Sequence, residues 1–214
     1  MLFRHMTFTA LMLGAFAIIA TTVVSLVNWQ TQPRIAENER RAIMENLNSL
    51  VPATQYDNDL VNDTLAVTDP LLLGSKKPLT VYRARRNGQP VAAVFTVIAP
   101  DGYNGAIKLL VAIHYDGIIA GVRVVGHKET PGLGDAIDVD RSDWVFSFNG
   151  RSLSNPTVKG WHVKKDGGVF DQFTGATITP RAIVKAVYNS LKYFSAHRDQ
   201  VFANPTPTTA EEDS

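Results

Sequence analysis

The spacing of hydrophobic and polar positions changes several times along the 214 residues, and each change predicts a different element. From Phe8 to Val27 the chain reads FTALMLGAFAIIATTVVSLV, 20 residues without a charge. At roughly 1.5 Å per residue, an α-helix of that length spans a hydrocarbon core of about 30 Å. Trp29 follows where an interfacial aromatic would sit. A cleaved signal peptide is the competing reading, but the run exceeds a usual signal core of ~7–15 residues and lacks a clear Ala-x-Ala site. Charge does not settle orientation: Arg4 and His5 precede the span, while Arg34, Arg40 and Arg41 follow it.

After Pro33 the period becomes helical. Ala36, Ile43, Leu47 and Leu50 share one face of IAENERRAIMENLNSLVP, which predicts an amphipathic connecting helix ended near Pro52. Residues 54–78 carry many Asp, Asn, Thr and Pro residues and read as loop. From Thr80 the strands begin. TVYRARR and QPVAAVFTVIA flank Asn87-Gly88, and AIKLLVAIHY and IIAGVRVVGH flank Asp116-Gly117. Two hairpins of this kind predict a largely antiparallel sheet with one buried face.

The loop HKETPGLGDAIDVD then leads to a short helical piece from Trp144 to Phe148, a turn at Asn149-Gly150, and a strand through TVKGWHVKKDGG. A last helix is expected to begin at Pro180, capped by Thr179, with Ile183, Val187, Leu191 and Phe194 on one face. Beyond Ala203 the tail NPTPTTAEEDS is polar and acidic, the composition of a disordered segment. The expected fold class is α+β. Its parts are a short N-terminus (1–7), a transmembrane helix (8–29), a connecting helix and loops (30–78), one domain (79–200) and the tail (203–214).

Composition narrows the function. The 21 basic and 20 acidic residues give a formal charge of +1, with no long run of either sign. Nucleic-acid binding, which needs a concentrated basic surface, is therefore not expected. The absence of cysteine excludes disulfides, thiolate metal sites, iron–sulfur ligation and thiol catalysis by this chain. Gly121-x-x-x-x-Gly126 has P-loop glycine spacing, but His127-Lys128 follows and no helix is signalled. The five histidines show no i,i+4 pairing, and no Gly-x-Ser-x-Gly elbow occurs.

Two stretches remain as candidate chemistry. In His127-Lys128-Glu129-Thr130-Pro131-Gly132-Leu133-Gly134-Asp135, two glycines and a proline fix a tight path that lets backbone approach a ligand, or simply connect two elements. In Asp171-Gln172-Phe173-Thr174-Gly175-Ala176-Thr177-Ile178-Thr179-Pro180, three hydroxyls crowd a helix start. Such a place suits a phosphate, because free N–H groups and the helix dipole meet there, but turn-filling threonines would look the same. Local physics favours neither reading.

Asp171-x-x-Thr174-Gly175-Ala176-Thr177 resembles the Asp-x-x-Ser/Thr-Gly-Ala-Thr pattern of FMN-binding domains that carry flavin through a threonine phosphoester. PDGYNGAIKLLVAI, HKETPGLGD and WHVKKDGGVFDQFTGATITPRAIV occur in order, as in the G subunit of the Rnf (Rsx) ion-translocating electron-transport complex. The related C subunit of the Na⁺-translocating NADH:quinone reductase shares the Ser/Thr-Gly-Ala-Thr and Thr-Pro-Gly-Leu-Gly elements.

The resemblance implies one covalent FMN per chain, attached to Thr177 by a periplasmic flavin transferase that reads Asp171, Thr174, Gly175 and Ala176. It implies flavin contacts from Glu129, Thr130, Pro131, Gly132, Leu133 and Gly134. Lys164 and Lys165 would face the phosphate or the flavin edge, or simply lie on an exposed surface. The chain would then be a single-pass inner-membrane subunit with its domain in the periplasm. It would relay electrons among other membrane, iron–sulfur and flavin subunits without catalysing a reaction alone. Two other readings are a flavin carrier for a different reductase, including the quinone reductase, and a membrane-tethered assembly protein whose Thr-Gly-Ala-Thr is a capped turn.

Overall fold

The computed structural model describes residues 2–203, and the chain divides into two compact units, Met1–Glu45 and Asn46–Ser214. The acidic tail expected to be disordered lies, from residue 204, outside the described residues.

One helix, α1 (Leu2–Leu50), runs through Pro33, so the anchor and the connecting helix expected as separate elements are continuous. Within it Leu11–Gln32 has the length and mean hydropathy, 2.1, of a helix able to cross a membrane, and none of it is buried. The hydroxyls of Thr21 and Thr22 donate to the carbonyls of Ala17 and Ile18 at 2.8 and 2.7 Å. An apolar surrounding offers hydroxyls no other partner, so this back-bonding keeps the segment compatible with lipid.

In the second unit five strands form an antiparallel meander in the order β1-β2-β3-β4-β5. They are β1 (Thr64–Asp69), β2 (Ser75–Arg86), β3 (Gln89–Ala99), β4 (Ile107–His114) and β5 (Ile119–Gly126). The first hairpin turns as expected, with positive φ at both Asn87 (51°) and Gly88 (75°), which the right-handed strand twist favours. β1 and the start of β2 correct the expectation of loop over 54–78. The turn formers of that stretch gave no strand period, and β1 is ordered by pairing with β2 from Thr64↔Tyr82 to Asp69↔Ser75.

A second correction concerns burial. β3 and β4 are buried on both faces, not one. The C-terminal helix α2 (Ile178–Phe202) covers one face, where Phe95 meets Tyr193 and Phe194 edge-on at 5.9 and 6.0 Å. Ile183, Val187, Leu191 and Phe194 are buried there, as their spacing predicted. On the other face Gly121 lies against Leu50, where a Cβ would come within 2.8 Å of Leu50 Cδ2. The glycine that mimicked a P-loop is thus a packing glycine.

The stretch TVKGWHVKKDGG, expected as a strand, forms two 3₁₀ turns, Val158–Gly160 and Lys164–Asp166. Instead of pairing with the sheet, its Trp161 and Val163 are buried in the core. Trp161 and Phe170 stack with Phe148 of the 3₁₀ turn Trp144–Phe148, forming an aromatic layer with centroids 4.7–6.4 Å apart.

The far end of α2 is fastened by two arginines of β2. Arg83 Nη1 donates to the Ala203 carbonyl at 2.9 Å and Arg85 Nη2 to that of Phe202 at 2.8 Å, satisfying carbonyls that a helix end leaves open. Asp63 accepts from Nε of both arginines at 2.6 and 2.9 Å.

Candidate functional site

Three chain segments meet at the N-terminal end of α2. The loop between β3 and β4 brings Tyr103. The loop after β5 brings Glu129, Thr130, Leu133 and Gly134. The Thr-Gly-Ala-Thr segment brings Gly175, Ala176 and Thr177, followed by Ile178 and Thr179. Together they line a cleft of about 480 Å³, within the ~300–1,000 Å³ common for small-molecule sites.

The Thr-Pro-Gly-Leu-Gly loop is a tight turn in which the N–H groups of Leu133 and Gly134 both donate to the Thr130 carbonyl, at 3.1 and 3.0 Å. Asp135 accepts the Gly132 N–H at 2.7 Å and braces the turn from behind. At Gly134 a Cβ would stand 2.9 Å from Glu129 Oε2 and 3.2 Å from Thr179 Oγ1, so only glycine leaves that wall in place. Pro131 and Gly132 are exposed on the outside of the turn.

The segment carrying Thr177 turns at Gly175, whose φ of +81° lies in the left-handed region. Ala176 N–H closes the turn on the Phe173 carbonyl at 3.2 Å. Phe173 in turn packs on Trp144, whose Nε1 donates to the Asp171 carbonyl at 2.8 Å. Folded loop, not regular structure, sets the position of the threonine.

α2 begins two residues earlier than expected, with Thr177 at the N-cap position. Thr177 has φ −86° and ψ −26° and makes no side-chain capping bond. A capping hydroxyl accepts from the second or third helical N–H, and the third residue is Pro180, which has none. The Thr177 hydroxyl is therefore spare, half-buried in the cleft. Among the described residues no protein acceptor takes the N–H of Ile178 or Thr179.

Thr179 is not the cap. It is fully buried as the second residue of the helix, and its hydroxyl donates to Glu129 Oε2. The sequence signal was a threonine before a proline, and that pair is displaced into the helix here.

The remaining expected residues divide. Thr174 is exposed beside the cleft segment. Asp171 and Lys164 pair with each other at 2.5 Å, and Lys165 offers its backbone N–H to Gln172 at 3.2 Å. None of Thr174, Asp171, Lys164 and Lys165 lines the cleft. A second concavity of about 270 Å³, between Trp161 and Tyr188, contains none of the expected site residues.

Tyr103, Asn104 and Ile178 were not anticipated. Tyr103 is 65% exposed at the cleft mouth, and Asn104 ties its loop across to the opposite wall. The Asn104 backbone N–H donates to Glu129 Oε1 and its side-chain amide to Thr130 Oγ1, both at 3.0 Å. The turn-rich DGYNG motif was legible, but nothing local said which loop it would face.

The comparisons with known proteins coincide with this geometry. The FMN-binding domain family matches residues 102–192, which hold all three cleft segments, and the RnfG N-terminal region matches residues 1–50. The G subunit of the ion-translocating oxidoreductase complex of Pseudomonas aeruginosa is 49% identical over 200 residues, 94% of each chain. Its counterpart in Pseudoalteromonas atlantica is 48% identical over 90% of each chain. That of Vibrio cholerae is 46% identical over 92% of this chain and 94% of its own. Among solved structures, Shewanella oneidensis NqrC is similar at a TM-score of 0.47 and 23% identity, over 71% of this chain and 74% of that one. With identity near one half along almost its whole length, the chain belongs to the family of G subunits of ion-translocating oxidoreductase complexes.

Proposed function

We propose that this protein is a membrane-anchored flavoprotein subunit that relays electrons through one FMN, joined by a phosphoester to Thr177, within an Rnf-type ion-translocating complex. The observation that carries the attachment is the spare Thr177 hydroxyl in a cleft beside two open helix N–H groups. A phosphodiester on that oxygen keeps one negative charge, and the N–H groups of Ile178 and Thr179 are placed to donate to it. FMN, when bound, supplies one- and two-electron carriage, which none of this chain's own side chains supplies.

The chain's residues place and enclose the group. Leu133 and Ile178, 47% and 45% exposed, offer apolar edges to a flat ring, and Tyr103 stands at the mouth. Gly175 and Ala176 keep side-chain bulk off the backbone there. Asp171 and Thr174 lie outside the cleft, where a transferase could read them without displacing its product. Lys164, held by Asp171, belongs to that outer surface with Lys165.

In this reading the domain faces the periplasm on a single inner-membrane span, in contact with lipid. Its partners are the transferase and the other membrane, iron–sulfur and flavin subunits of the complex. Mass spectrometry of the peptide containing Thr177, from protein co-expressed with a flavin transferase, tests the attachment. An added FMN on Thr177 is expected. Wild-type peptide fully recovered without it, under conditions that flavinylate another substrate, would refute the covalent assignment.

A further inference from the structure

Glu129 is only 5% exposed although it forms part of the cleft wall. Both carboxylate oxygens accept bonds from the protein, Oε1 from the Asn104 N–H at 3.0 Å and Oε2 from the Thr179 hydroxyl. An ionised carboxylate, which offers only acceptors, satisfies both of these donors at once. Its backbone N–H donates to His127 Nδ1 at 3.0 Å, so that nitrogen carries no proton. The other ring nitrogen faces Asp138 Oδ2 at 3.0 Å.

Among the described residues no lysine, arginine or histidine forms an ion pair with Glu129. Of the neighbouring side chains, His127 faces Asp138 and Arg141 faces Asp135 at 3.6 Å, while Lys128 is exposed. A buried charge held only by neutral donors is costly to folding, and stability alone gives no reason to keep it. It stands at the wall of the cleft into which the spare Thr177 hydroxyl opens.

We propose that Glu129 is a fixed negative charge that holds the reduction potential of the flavin low, with Thr179 and Asn104 as the residues that position it. The inference rests on FMN occupying the cleft. Adding an electron to a group there places negative charge beside a charge already present, and a wall shielded from water screens the repulsion weakly. Groups near a cofactor set its electronics in this way without touching the reacting atoms.

The geometry also supplies a clean probe. In Glu129→Gln the amide oxygen can keep the Asn104 N–H, and the amide N–H can donate to Thr179, whose hydroxyl turns from donor to acceptor. The charge goes while the cross-links remain. Thr179→Val does the reverse, keeping the charge and removing one of its holders.

The test uses the full chain in detergent, flavinylated by co-expression with a transferase. Three quantities are read: FMN content by intact mass, flavin midpoint potential by spectroscopic titration, and Tm of chain purified without the transferase. Glu129→Gln is expected to fold with a Tm no lower than wild type and to shift the potential of its FMN positive. Thr179→Val is expected to lower Tm without a positive shift. An unchanged potential in flavinylated Glu129→Gln overturns the proposal. Loss of FMN and Tm in that variant, or an equal positive shift in Thr179→Val, overturns it too, since each assigns the effect to packing. Absence of FMN from the wild-type chain is a different result: it removes the flavin reading itself.

Discussion

The Thr179 hydroxyl donates to the Glu129 carboxylate across 50 positions of sequence, joining the first turn of α2 to the loop after β5 at the wall of the cleft. Gly134 lies against both partners. Gly134→Ala therefore drives a methyl group into this pair, at 2.9 Å from Glu129 Oε2 and 3.2 Å from Thr179 Oγ1. Overpacking of this kind costs about 1–3 kcal/mol. Denaturant unfolding should register that loss, and the variant should carry less FMN when co-expressed with the transferase.

The two threonines of Thr-Gly-Ala-Thr are expected to behave differently. Thr177 lines the cleft with a spare hydroxyl, whereas Thr174 is exposed outside it. Thr177→Ala should abolish the fluorescent flavin band on a denaturing gel. Thr174→Ala should lower the yield, with any adduct still mapping to Thr177. A band of wild-type strength in Thr177→Ala would move the attachment elsewhere.

Asp63 holds Arg83 and Arg85, whose other nitrogens close the far end of α2. The Arg83 side chain is 7% exposed, so Asp63→Ala leaves a buried guanidinium without its carboxylate. A loss of about 3 kcal/mol is expected. Because Thr177 sits at the opposite end of the helix, molecules that remain folded should still acquire FMN at that residue, which intact mass can check.

Asp166 receives two bonds from Arg181, from Nε at 2.6 Å and Nη2 at 2.5 Å, fastening the 3₁₀ turn Lys164–Asp166 to the first turn of α2. The hydrogen bond from Arg181 is the main reason its carboxyl titrates below the ordinary 3.8, with the charges of Arg181, His162 and Lys165 adding to it. A lowered folded-state value means stabilisation that is present above 3.8 and lost as pH falls through the folded value. Asp166→Asn should thus lower Tm slightly at neutral pH, and the gap should close in strong acid. The pair is exposed, so the effect should also shrink with added salt. A gap that widened towards acid would contradict the pairing.

The sequence by itself determined what is written in short-range spacing. The uncharged run from Phe8 to Val27 has the length of a membrane span and no charge, and the steps of four, four and three from Ile183 to Phe194 mark one buried stripe. Asn87-Gly88 predicts its hairpin because both residues tolerate positive φ. The Thr-Gly-Ala-Thr segment could be located, though only its resemblance to a known pattern selected Thr177.

Tertiary structure decided the rest. β1 exists through its pairing with β2, and the Trp161 stretch gives up the strand form to stack on Phe148 and Phe170. Thr179 left the cap for Glu129, and Asn104 carried Tyr103 to the cleft mouth. Hydrogen-bond partners and aromatic contacts are set by which surfaces packing brings together. Residues so far apart in the chain leave no mark of that meeting in their local pattern.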